Sequence, residues 1–92
     1  MIDCGRGAFS KSDSAIDAGT MVSAEVTFNK MFKKKPIVVV SWGDYDSSFY
    51  FDTSVIVDTR HLTNVGFNAV ARTKRADAWK YNWYFYWIAI AN

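Results

Sequence analysis

The chain has 92 residues, half of them hydrophobic and 17% aromatic, with 11 Lys and Arg against 9 Asp and Glu. A chain of this length buries roughly 65% of its unfolded surface, enough for one domain and not for two cores. The composition excludes disorder, and a net charge of +2 is too weak a bias to imply nucleic acid. One Cys (Cys4) and one His (His61) exclude an intrachain disulfide and a zinc site built from Cys and His. No apolar run approaches the about 20 residues of a membrane span, so no membrane insertion is expected. No basic start followed by an apolar stretch opens the chain, so no signal peptide is read there.

Residues 1–20 are rich in Gly, Ser and Asp, with Ile2, Phe9 and Ile16 as isolated apolar anchors. They read as an irregular arm with room for one short strand, and residues 21–92 as the domain proper. Val22, Ala24, Val26 and Phe28 alternate with polar residues and predict a half-buried strand. Asn29 to Lys35 is a link closed by Pro36. Residues 37–42 are β-branched and continuous, which predicts a strand covered on both faces. Gly43 to Ser48 is a loop. Residues 49–57 and 58–63 read as strand material, as in a bent or bulged pair. Asn64 to Gly66 is a turn, 67–73 a strand with Phe67, Ala69 and Ala71 on one side, and 74–78 a second polar loop. A helix is the alternative for residues 74–83, but the aromatics that follow favour a strand.

In the closing strand Trp83, Phe85, Trp87, Ala89 and Ala91 point one way, and Tyr84, Tyr86, Ile88 and Ile90 the other. Both faces are apolar or aromatic. One face packs in the core, and the other needs a cover that a short chain has little left to provide. Another copy of the chain is the simplest cover.

Four motifs occur in order: Val26-Thr27-Phe28, Lys35-Pro36-Ile37-Val38-Val39-Val40, Thr63-Asn64-Val65-Gly66-Phe67 and Tyr86-Trp87-Ile88-Ala89. Together, over about residues 22–91, they resemble the H-type lectin domain. Ile2-Asp3-Cys4-Gly5 is similar to the arm that precedes the domain in one snail agglutinin type. The resemblance implies an all-β fold, a six-stranded antiparallel β-sandwich assembled as a parallel homotrimer. It also implies binding of N-acetylgalactosamine or a related sugar of a cell-surface glycan in clefts between protomers. Such domains occur in invertebrate agglutinins, in discoidins and in bacteriophage tail proteins. The family's sugar-binding Arg falls near Ser54 and its Trp-His pair near Arg75 and Ala76. Only the following Tyr finds a match, at Tyr81, and Trp79 is offered as a displaced aromatic platform.

Sugar recognition needs an aromatic face for the C–H patch of the ring, and charged or amide groups for its hydroxyls. Residues 43–49 and 72–79 carry that mixture and are expected at one end of the sandwich. The candidate carbohydrate-binding residues are Asp44, Tyr45, Asp46, Arg75, Asp77, Trp79 and Tyr81; solvated turns packing on the scaffold are the plainer alternative. Trp42, Trp83 and Trp87 are assigned to core or interface. Asp44, Asp46 and Asp52 lack a calcium-loop spacing and are read as ordinary loop carboxylates, with no metal or cofactor. His61 has no nucleophile on a defined turn, so no enzyme is expected. It reads as a buried, hydrogen-bonded histidine or one at a protomer contact. Cys4 reads as a free thiol in a mobile arm. Lys33 to Lys35 read as a solvated connection guarding the strand that follows.

The expected function is a non-enzymatic carbohydrate-binding, trimeric adhesion module of phage-tail, receptor-binding type, extracellular or virion-associated, with no nucleic-acid partner. The alternative is a purely structural trimerisation domain of a viral tail or fibre protein.

Overall fold

The computed structural model describes residues 1–11, 17–43 and 47–92, with Trp79 described by its backbone alone. Strands β1 (Ile2–Phe9), β6 (Trp83–Ile90) and β3 (Ile37–Trp42) form one antiparallel sheet in that order. Strands β2 (Met21–Thr27), β5 (Gly66–Arg72) and β4 (Ile56–Asp58) form a second. The β-branched and aromatic runs that predict β2, β3, β5 and β6 form those strands, because such side chains suit a pleated, half-buried surface.

The sheets share one core. Phe85 and Ala89 of β6 and Ala69 and Ala71 of β5 are wholly buried, and Trp83, Trp87 and Phe67 nearly so. The Trp87 ring of the first sheet meets Phe28 at 5.6 Å and Phe67 at 5.8 Å from the second side of the core. Trp42 is half-buried against Phe51 at 4.7 Å, so the tryptophans at 42, 83 and 87 all pack on the core cluster.

Three local expectations change. Ile2–Phe9, expected within an irregular arm, is an eight-residue strand paired with β6 along its whole length, from Ile2 opposite Ile90 to Phe9 opposite Trp83. Its inward positions include Gly5 and Gly7, so it shows no apolar alternation. Trp87 and Phe85, directly opposite, fill the space: a Cβ on Gly7 would lie 2.3 Å from the Phe85 ring. Cys4 is accordingly an exposed free thiol on a strand.

Residues 49–63, expected as strand, are mostly not. Ser47–Tyr50 is one helical turn, Phe51 makes an isolated bridge to Thr73, and Thr59–His61 is a 3-10 turn. The Asp52–Ser54 run breaks the ladder; Thr53 Oγ1 instead accepts from the Arg72 backbone amide at 3.1 Å. Asp58 then caps the 3-10 turn by accepting from the Arg60 amide at 3.1 Å. The helical alternative at 74–83 is present only as a 3-10 turn over Ala76–Lys80, after which β6 begins.

The two outer faces differ. Rows of the first sheet bring Ile2, Ile90 and Ile37 together, then Cys4, Ile88 and Val39, then Arg6, Tyr86 and Ser41. Ile37 is 74% exposed and Val39 57%, so the cover expected on both faces of β3 is missing on one side of a single chain. The second sheet's outer face is more polar, with Glu25, Asn68 and Asp58 in one row.

Candidate functional site

The Phe51–Thr73 bridge joins the two candidate loops. Beyond it, the Lys74 amide donates to the Tyr50 carbonyl at 2.7 Å, and Lys74 Nζ donates to the Ser48 carbonyl at 3.2 Å. The helical turn Ser47–Tyr50 is thereby tied to Lys74 and Arg75, which lead into the 3-10 turn Ala76–Lys80.

Arg75 is the centre of what results. Its Nε and Nη2 donate to the two carboxylate oxygens of Asp77 at 2.9 and 3.2 Å, a bidentate hold that fixes the guanidinium plane. The plane lies over the Phe49 ring at 4.3 Å and reaches Tyr50 at 5.4 Å. The bond from Arg75 keeps the Asp77 carboxyl below its ordinary range, and that same bond raises Arg75. Both partners stay charged at any physiological pH. Tyr50 packs on Tyr81 at 5.6 Å and on Trp83 at 4.8 Å. Burial, and then a hydrogen bond with the Tyr81 hydroxyl, push the Tyr50 phenol above its usual 10.0, so it remains neutral. Phe49 is 52% exposed and Tyr81 46%, so two aromatic side chains stay open to solvent beside a fixed ion pair.

Arg75, Asp77 and Tyr81 are therefore brought into one cluster. Asp44, Tyr45 and Asp46 lie outside the described residues, as does the side chain of Trp79. Phe49 and Tyr50 belong to the cluster and are absent from the residues chosen by sequence. Their signal was the Phe-Tyr pair closing the first loop, but only the Phe51–Thr73 pairing places it beside Arg75. Next to this cluster a shallow cleft of about 300 Å³ is lined by Trp42, Ser47, Asp52, Thr53, Ser54 and Lys74. Lys74 thus places a cation in the cleft that holds Ser54.

His61 is hydrogen-bonded, as expected, but its side chain is 59% exposed rather than buried. Its Nδ1 lies 2.8 Å from Asp58 Oδ2, and Arg60 Nε donates to Asp58 Oδ1 at 3.2 Å. The Arg60 and His61 contacts draw the Asp58 carboxyl from 3.8 down to about 2. A folded-state value below the unfolded one adds stability that is present above pH 3.8 and is lost as pH falls through about 2. Asp58→Asn should flatten the acid limb of a melting-temperature profile in that window and leave the profile above it parallel to the parent. Identical acid limbs would show that Asp58 has no such role.

Among the described residues, no group of three or more His, Cys, Asp or Glu side chains is placed to hold a metal ion. Among them too, no helix is long and apolar enough to cross a membrane.

No curated protein matches the chain in a sequence search. The family model of the H-type lectin domain matches residues 23–90, which runs from β2 to the end of β6 and takes in both loops of the Arg75 cluster. With that match covering well over half of its length, the chain belongs to the H-type lectin domain family.

Proposed function

We propose that the chain is a non-enzymatic, carbohydrate-binding adhesion module that works as a parallel homotrimer and binds sugar at the Arg75 end. Family membership supports lectin-like carbohydrate binding in general. The observation that carries the site is the Asp77-clamped guanidinium of Arg75 stacked on Phe49. A pyranose presents an apolar C–H patch and a ring of hydroxyls. Phe49 and Tyr81 offer rings for the first, and Asp77, Lys74 and the remaining N–H groups of Arg75 offer partners for the second. Asp44, Tyr45, Asp46 and Trp79 complete the site on this reading. The ligand is a cell-surface glycan, with N-acetylgalactosamine or a related sugar as the first to test. Three weak sites on one trimer gain avidity when the glycans are dense. The setting is extracellular or virion-associated, as in a phage tail.

A second reading has its own support. By the family resemblance, the sugar-contact Arg and Trp-His positions of known lectins fall near Ser54 and near Arg75 and Ala76, residues of other types, which suits a structural trimerisation domain of a viral tail or fibre. A glycan array on material shown to be trimeric by light scattering separates the two. The lectin reading expects a signal that free monosaccharide competes away at constant salt. It expects Arg75→Ala and Trp79→Ala each to weaken the signal by tenfold or more without changing the mass, on the scale of one lost charged hydrogen bond or one stacked ring, about 1.5–3 kcal/mol. A silent array on a stable trimer favours the structural reading.

A further inference from the structure

The connection from β2 to β3 carries Lys30, Lys33, Lys34 and Lys35 around Met31, and all five side chains are exposed, Met31 at 69%. Its backbone is nevertheless pinned. Asn29 donates to Asp3 twice, from its amide at 2.7 Å and from Nδ2 at 2.9 Å. The Phe32 amide donates to the Asn64 carbonyl at 2.8 Å, and Asn64 Nδ2 donates back to the Phe32 carbonyl at 3.0 Å. The Phe32 ring, 1% exposed, packs edge-on against Phe28 at 5.0 Å. The lysines and Met31 are therefore exposed along a connection anchored at Asn29 and Phe32.

Among the described residues no carboxylate pairs with any of the four lysines. The nearby carboxylate of Asp3 is committed to Asn29, which holds it below its ordinary range. A chain of net charge +2 thus concentrates four cations within six residues. The connection also lies at the far end of the fold from the Arg75 cluster. β2 starts at Met21 opposite Arg72, beside the cluster, and ends at Thr27 opposite Gly66. Val65, 45% exposed, adds a second apolar group there, since its carbonyl accepts from the Phe28 amide at 2.9 Å.

We propose that this basic, methionine-tipped connection docks the protein peripherally on an anionic lipid bilayer. Lysines bind the negative headgroup plane, and an exposed thioether between them reaches the headgroup–acyl boundary beneath it. A polyanion in solution would engage the lysines but would gain nothing from Met31. The cleft described above is not lined by these lysines, and exposed cations outside it suit a plane better than a single extended chain.

The test is co-sedimentation of the full chain with phosphatidylcholine vesicles, with and without phosphatidylserine. Binding is expected only with phosphatidylserine and should weaken as salt rises. Each lysine near a charged surface contributes about fivefold to partitioning, so Lys33→Ser with Lys34→Ser should weaken binding about 25-fold. Met31→Ser should weaken it about tenfold, the scale of burying one such side chain. All three positions are exposed, so unchanged melting curves serve as the folding control. Equal binding to both vesicle types would overturn the proposal in favour of the apolar sheet face. No binding, or a Met31→Ser variant indistinguishable from the parent, would overturn it as well, the latter leaving a site for soluble polyanions.

Discussion

Phe85→Ala is expected to lower stability by about 3–5 kcal/mol, out of a total of about 5–14 kcal/mol for a chain of this size. Urea titration should show the midpoint falling steeply with little change in slope. The Phe85 ring is wholly buried, contacts Phe9 at 5.2 Å and lies directly opposite Gly7. One wall of the cavity left behind would be β1 backbone, which cannot collapse inward because it is hydrogen-bonded along its length to β6. The reverse change tests the same contact. A methyl group on Gly7 would stand 2.3 Å from the ring, so Gly7→Ala should cost about 1–3 kcal/mol by overpacking. In a Phe85→Leu background that cost should fall, giving a coupling energy of about 0.5–3 kcal/mol. An equal cost in both backgrounds would mean that the ring does not rest on Gly7.

The same pair explains what was hidden in the sequence. β3 is legible as Ile37–Trp42 and β6 as a two-faced ribbon because their own side chains carry the period. β1 is not, because its core-facing positions include Gly5 and Gly7, and the apolar volume above them belongs to residues about 80 positions later. A pattern read along one strand cannot register volume supplied by its partner. Residues 49–63 err the other way. Phe49, Phe51, Val55 and Val57 alternate like a strand, but Phe49 turns out to solvent in a helical turn while Phe51 and Val55 enter the core around a break at Asp52. The candidate site divides similarly. Arg75 and Asp77 are visible as charged loop residues two positions apart. The aromatic platform under Arg75 depends on Phe51 meeting Thr73, a tertiary contact that no local pattern encodes.

If the proposed trimer closes over the first sheet, Ile88→Asp is expected to give a soluble, folded monomer in its place. Ile88 occupies the middle strand of the first sheet, between Cys4 and Val39. Around it Ile2, Ile37, Val39, Tyr86 and Ile90 are all exposed in the single chain, at 66%, 74%, 57%, 56% and 46%. Soluble monomers seldom leave so continuous an apolar surface open. In one chain Ile88 is itself 38% exposed, so a carboxylate there stays hydrated and the fold should lose only about 1 kcal/mol, the span of strand preference. Once copies close over the sheet, each carboxylate is stripped of water without a partner, at several kcal/mol apiece. Association carries that penalty once per protomer, whereas folding carries almost none of it. Light scattering should therefore report one third of the parent mass at micromolar concentration, with circular dichroism unchanged. Ser23→Asp, on the outer face of the second sheet, should leave the mass as it was. A parent protein that is already monomeric, or an Ile88→Asp variant that keeps the parent mass, would place the contact between copies elsewhere or remove it. The first outcome would also deprive the Arg75 site of the avidity on which weak sugar binding depends.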